Sequence, residues 1–235
     1  MKNIISTNDI SQYQTVIEDS VIRDTTDESI YFKEFIPAYM TPVDLGLPSG
    51  KLWAKGNLMA DNEEEYGLYY QWGDTSGYTA TQVGVDKQFD WSDYKYNNGS
   101  SFNPTKYTSS DGKIQLDLED DAVYAALGGN WRMPTYEDFQ ELTANTTTGV
   151  TSISGIQGMK FTSKNNSNYL FFPFAGYAYS GSMGNVGSFF YCWSSTLYSV
   201  GSGSAWHLYG NSGGYMGLIS NYRSLGHSVR GVLSL

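Results

Sequence analysis

One cysteine in 235 residues, Cys192, excludes a disulfide framework, a C-x-x-C redox pair and any cysteine-rich metal site. Standing beside Trp193, it reads as a small buried hydrophobe. Histidine is nearly as scarce: His207 and His227 are the only candidates for an imidazole base. Charged residues make up 16% of the chain, against roughly 25% in an ordinary globular domain. The 14 Lys and Arg are outnumbered by 24 Asp and Glu, giving a net charge of −10 with no basic cluster. Such a surface repels phosphate backbones and anionic lipid, so neither nucleic acid nor a membrane surface is an expected partner. No apolar run approaches the length that crosses a bilayer, and "MKNIISTNDISQYQ" lacks the apolar centre of a signal peptide. The chain therefore reads as made in a cytoplasm, without membrane insertion or an export signal of its own.

What fills the space is tyrosine and glycine, 20 and 26 residues. With 40% hydrophobic and 16% aromatic residues a core is within reach, and the balance favours an all-β or loop-rich α+β fold. The stretch "YCWSSTLYSVGSGSAWHLYGNSGGYMGLISN" concentrates the bias. It has too little Leu, Ile and Val to fill a core and too much Trp and Tyr for a flexible linker. Rigid aromatics among small adaptable polar residues are the composition of binding loops.

Residues 1–42 differ from the rest: acidic, free of glycine, with short β-favouring pieces in "TVIEDSVI" and "SIYFKEFI", and closed by "PAYMTP". They read either as an appendage that docks elsewhere or as an extra edge strand of the main domain. From residue 43 a strand is expected at "KLWA", an aromatic strand at "EEYGLYYQWGD" and an irregular excursion over 74–114. A helix is expected near 119–127, stopped by Gly128. A second, near 136–144, has Thr135 as cap and Asp138 completing a capping box, and ends in "TANTTTG". Beyond residue 150, "GMKFTS", "NYLFFPFAGY", "FYCWSST", "SAWHLYG", "GYMGLIS" and "HSVRGVL" read as short strands. Strands, two helices and more strands make an α+β domain with an antiparallel sheet.

Alternation in "AWHLY" puts Trp206 and Leu208 on one face and His207 and Tyr209 on the other. Trp206 is expected inside, with His207 and Tyr209 exposed. The carboxylates of "DNEEEYG" and "DLEDD" lack the spacing of a calcium loop, so no metal site is expected in them. No G-x-S-x-G elbow surrounds Ser194 and Ser195, which argues against a triad with either histidine.

"VDLGLPSGKLWA", "EEYGLYYQWGDT", "GGNWRMPTYEDFQEL", "FFPFAGY" with "VGSFFYCWSST", and the closing "LGHSVRGVL" occur in an order that resembles the Fibrobacter-succinogenes-major paralogous domain. That domain occurs in surface and phage proteins of gut Bacteroidota-type bacteria and has C-type-lectin-like, formylglycine-generating-enzyme-like architecture. The resemblance covers residues 43–235. It implies a twisted antiparallel sheet with two helices and long irregular loops. It also implies Trp53, Trp72 and Trp193 in the core, Trp131, Arg132 and Pro134 placing the second helix, and Arg230 satisfying buried carbonyls or a carboxylate. The formylglycine-generating relatives need a reactive cysteine pair, which is missing, so no enzyme and no cofactor are expected.

The C-terminal stretch further resembles retroelement-diversified lectin-fold proteins, in which Tyr, Asn, Ser, Gly and His vary between "WSS" and "G-x-x-V-R" anchors. Tyr198, Ser199, Ser202, His207, Tyr209, Asn211, Tyr215, Asn221 and Tyr222 fit that pattern. The resemblance implies ligand binding through Tyr198, His207, Tyr209, Asn211, Tyr215, Asn221 and Tyr222. The function so implied is non-catalytic recognition of a host-surface glycan or protein from the exterior of a virion. Residues 1–42 would dock the protein, as a dimer or trimer, onto other virion proteins. A purely structural decoration protein and a bacterial surface adhesin subunit are the alternatives.

Overall fold

The computed structural model describes residues 36–234 in full, with the backbone of four short strands nearer the N-terminus. The chain divides into two compact units, Met1–Pro37 and Ala38–Leu235. In the first, β1 (Ile4–Ile5) pairs antiparallel with β2 (Gln14–Thr15), and β3 (Val21–Arg23) with β4 (Ile30–Phe32). The docking surface expected of residues 1–42 falls largely on side chains outside the described residues.

The second unit begins a few residues before the expected 42/43 division, because the turn Ala38–Met40 packs on β6 (Leu52–Asn57). It is a sheet-rich α+β unit in which most strands run antiparallel. One sheet has the order β5 (Pro42–Val43), β6, β16 (Arg230–Leu233), β7 (Trp131–Arg132). A second is the meander β8 (Thr146–Ile153), β9 (Ile156–Ser163), β10 (Tyr169–Pro173). A third is the meander β13 (Phe189–Leu197), β14 (Ser204–Asn211), β15 (Met216–Tyr222). The hairpin β11 (Tyr177–Tyr179) and β12 (Ser182–Gly184) lies between the meanders in sequence.

The helices sit where their caps place them. In α2 (Tyr136–Asn145) the Thr135 hydroxyl accepts from Asp138 N–H and the Asp138 carboxylate accepts from Thr135 N–H. Asp138 also takes Lys51 Nζ at 2.7 Å and an Arg132 guanidinium nitrogen at 2.6 Å. Burial alone would raise its pKa, but these donors outweigh burial and hold it below the usual carboxylate range. Phe139 and Leu142, three apart, turn one face of α2 into the core, where Phe139 meets Trp53 at 5.5 Å. α1 (Ala122–Leu127) is shorter than the expected 119–127. Asp121 stays extended, at φ −84° and ψ 113°, and its carboxylate caps Val123 and Tyr124, so Leu118–Asp120 forms a separate 3-10 turn. Gly128 ends α1 at φ +67°, as expected.

The main core lies between the meanders, α2 and the four-stranded sheet, with Trp53, Phe161, Phe172, Phe190, Leu208 and Val232 among its members. Trp53, Trp72, Trp131 and Trp193 are all buried. Arg230 is fully buried too, donating to Asn57 Oδ1 and the Phe171 carbonyl, with Phe172 4.0 Å beneath its guanidinium. Two expectations need correction. "EEYGLYYQWGD" forms single bridges and not a strand, because Gly67 and Gly73 turn at positive φ and Tyr69, Tyr70 and Trp72 each bond a different partner. The Thr-rich run after α2, expected as a helix end, is β8: β-branched residues pack better on a pleated surface than in a helix.

Candidate functional site

The third meander carries most of the residues singled out in the sequence. Its register sets Tyr191 opposite Tyr209 and Trp193 opposite His207 on β13 and β14. It sets Tyr209 opposite Gly217, His207 opposite Ile219 and Ala205 opposite Asn221 on β14 and β15. One face, through Phe190, Cys192 and Leu208, closes the core. The thiol of Cys192 is pushed up to about 12 by burial, with Arg230 opposing, so it is unreactive at neutral pH.

The other face is not open to solvent throughout, and this corrects the reading of His207. The chain after β15 folds back over it, bonding Tyr70 through His227 and Ala178 through Gly226. His227 stacks on Trp193 at 3.9 Å, and its ring lies 4.8 Å from that of His207. His207 is fully buried, and burial lowers its pKa to about 3. Trp206, expected inside, is half-buried at the sheet margin between Tyr136 (4.6 Å) and Tyr198 (5.1 Å). The period-two alternation holds; what the sequence could not carry is that both faces are covered at His207.

The other candidates fall into separate groups. Tyr209 and Tyr215 pack together at 5.5 Å, with Tyr209 half-buried and Tyr215 exposed. Asn211 builds the turn between β14 and β15, its Oδ1 accepting from Gly213 N–H and Tyr215 N–H. Tyr198 stands apart on Trp206. Asn221 and Tyr222 line a cleft of about 350 Å³.

The opposite wall of that cleft is the β11–β12 hairpin, which supplies Tyr177, Tyr179 and the neighbouring Asn185. Tyr191 and Leu225 complete the lining, and the Tyr191 hydroxyl accepts from Asn185 Nδ2 at 2.8 Å. Behind Tyr191 lie both imidazoles, His227 at 5.1 Å and His207 at 5.7 Å. None of their four nitrogens has a hydrogen-bond partner among the described residues. The hairpin turns through Ser180 (φ +45°) and Gly181 (φ +71°), the two left-handed positions of a type I′ turn. Gly181 N–H donates to the Gln88 carbonyl, and Ala178 and Gly226 exchange two backbone bonds of 2.8 and 2.9 Å. A Cβ at Gly226 would stand 2.9 Å from the Ala178 Cβ on the hairpin and 2.6 Å from the Phe89 ring, so glycine is what lets the chain after β15 approach the hairpin. Sequence reasoning missed the hairpin wall. The alternating tyrosines of "GYAYSG" were its only sign.

The serines of "WSST" serve a bulge. Ser194 Oγ donates to the Trp206 carbonyl at 2.8 Å, and Ser195 Oγ to Gln115 Oε1 at 3.1 Å. Of the acidic runs, Asp117, Glu119 and Asp120 converge closely enough to hold a cation. Lys106 Nζ sits among them at 2.9, 2.8 and 2.6 Å, and Tyr107 and Tyr96 also bond Asp120. The ammonium already supplies the positive charge. No family model, curated protein or solved structure matches this chain.

Proposed function

We propose that residues 43–235 form a C-type-lectin-like domain that recognises a host-surface glycan or protein without chemistry, displayed on the exterior of a phage particle. One observation carries this reading. Among the described residues, every tyrosine that is mostly exposed lies between residues 179 and 222 of the sequence: Tyr179, Tyr198, Tyr215 and Tyr222, at 51 to 58%. Large rings left in water on a charge-poor surface are what a recognition surface presents before its partner arrives. The expected partner proteins on the particle meet residues 1–42, and several copies per particle multiply weak single sites. Among the described residues no helix is long and apolar enough to cross a membrane.

The test is adhesion of the purified protein to Bacteroidota-type host cells. Tyr215→Ala with Tyr222→Ala should weaken it about thirtyfold while leaving the melting temperature unchanged. Wild-type strength in that variant, or no adhesion by the wild type, overturns the reading. Removing residues 1–37, short of the turn Ala38–Met40 that packs on β6, should leave a folded domain that no longer joins its particle.

A structural decoration role is favoured by β8, which among the described residues is an edge strand pairing only with β9, and whose residues "TTTGVTSI" are uncharged and mostly exposed. Such an edge invites pairing with a neighbouring subunit. Val150→Lys would abolish particle assembly under that role and leave it intact under recognition alone.

A further inference from the structure

We infer that the cleft between the β11–β12 hairpin and the end of β15 is a calcium-independent binding site for a neutral carbohydrate. This rests on the recognition reading and assigns the chemistry of its ligand.

The cleft is lined by rings and amides and carries no charge. Tyr177, Tyr179, Tyr191 and Tyr222 provide rings, Asn185 and Asn221 provide amides, and no lining residue carries a charge. A phosphate, sialate or uronate would enter a site with no cation, on a protein of net charge −10. A calcium-bridged sugar needs carboxylates, and the cleft has none. A purely apolar ligand would bury amides and phenols without partners, at a cost that opposes binding. A sugar ring satisfies both halves: its C–H face packs on tyrosine while its hydroxyls bond amides and phenols.

The cleft is also rigid. The hairpin is held at its tip by Gln88 and along its edge by Gly226, so both walls are in place before a ligand arrives. Tyr191, at the base, is fixed by Asn185 and by the imidazoles behind it. A preformed site loses little entropy on binding, which is how weak stacking and hydrogen bonds reach useful affinity. The volume of about 350 Å³ is at the small end of the ~300–1,000 Å³ usual for ligand sites, room for one or two sugar rings.

Exposure is divided among the rings of the cleft. Tyr179 and Tyr222 stand on opposite walls at 51% and 58% exposed, whereas Tyr191 is 9% exposed. Two rings stand at the mouth on opposite walls, that of Tyr222 set edge-on to Trp91 at 6.1 Å, and one forms the base.

The experiment is a printed array of neutral and acidic oligosaccharides, probed with the full chain in buffer containing EDTA. Binding to neutral oligosaccharides, lost about tenfold or more in Tyr179→Ala and in Tyr222→Ala, is expected. Tyr179→Phe, which keeps the ring, should retain most of it, and Leu118→Ala, at an exposed residue outside the cleft, all of it. Binding confined to acidic glycans, binding abolished by EDTA, or indifference to the cleft variants overturns the inference. So does inhibition by choline without inhibition by neutral sugars, since that would make the rings a cage for a quaternary ammonium. Cell adhesion measured in parallel separates the two claims. Protein that adheres to cells but binds no neutral sugar keeps the recognition reading and overturns this ligand class.

Discussion

Lowering the pH from about 7 to about 5 should destabilise this protein through its two histidines. In an unfolded chain both imidazoles titrate near 6.5. In the folded chain His207 is held down to about 3 by burial, and His227 well below its ordinary value by burial and then by His207. Between those limits the unfolded chain binds protons that the folded chain does not, so stability falls as pH falls. From pH 7 to pH 5 each imidazole contributes about 2 kcal/mol, or about 4 kcal/mol for the pair. In a domain of this size that lowers the melting midpoint by roughly 8–16 °C. The rings packed on the pair belong to Trp193, Tyr191, Tyr177 and Tyr209, none of which carries a charge to compensate. Asp120 and Asp138 are held below the usual carboxylate range and stay ionised throughout the window. Asp121, which burial pushes up, acts in the opposite sense. Calorimetric melts across the range, with proton NMR of the only two imidazoles, measure both sides of the linkage. The double variant His207→Leu, His227→Leu should lose most of the pH dependence. A wild-type midpoint moving by less than about 3 °C, or an imidazole titrating near 6.5 in the folded protein, would refute the reasoning.

Thr135→Ala removes one arm of the capping box and should cost about 1 kcal/mol in urea denaturation. Trp53→Ala empties the contact with Phe139 and should cost about 3–5 kcal/mol, enough to unfold a marginal domain in a thermal melt. Arg230→Met leaves Asn57 Oδ1 and the Phe171 carbonyl without their donor and should cost about 3 kcal/mol, read as a lower urea midpoint at unchanged slope. Cys192 should resist Ellman's reagent in the native protein and react only as fast as the core opens; immediate labelling would contradict its burial.

Local signals in the sequence were the ones that held. Thr135 and Asp138 announced the start of α2 because a capping box is written in residues three apart, and Gly128 marked the end of α1 for the same kind of reason. The strands after residue 155 were legible from alternation. Burial set by distant chain was not legible. His207 alternates as an outward residue should, yet the return of residues 223–227 covers it, and no local pattern records that return. Asn211 looked like a contact residue and serves as a turn former, two roles for which asparagine is equally suited. The cleft is half legible: Tyr191 and Asn221 open and close the stretch whose composition is unusual, with Tyr222 next to it, whereas Tyr177, Tyr179 and Asn185 come from an ordinary-looking hairpin brought beside it.

The position of β16 has a consequence for the birth of the chain. It lies inside the four-stranded sheet between β6 and β7, and Arg230 reaches Asn57 across 173 residues of sequence. At about 5–20 residues per second a ribosome needs roughly 9–35 s to travel that distance. For that interval β6 waits without its central neighbour, and Trp53 without Val232, its partner in the register. Closure of so long a loop also places the final step among the slower folding events, milliseconds to seconds rather than microseconds. Nascent molecules thus pass through a stage with open strand edges and unburied tryptophan. Crowding of many such chains on one message would favour pairing between molecules, so soluble yield should improve when fewer ribosomes load each message.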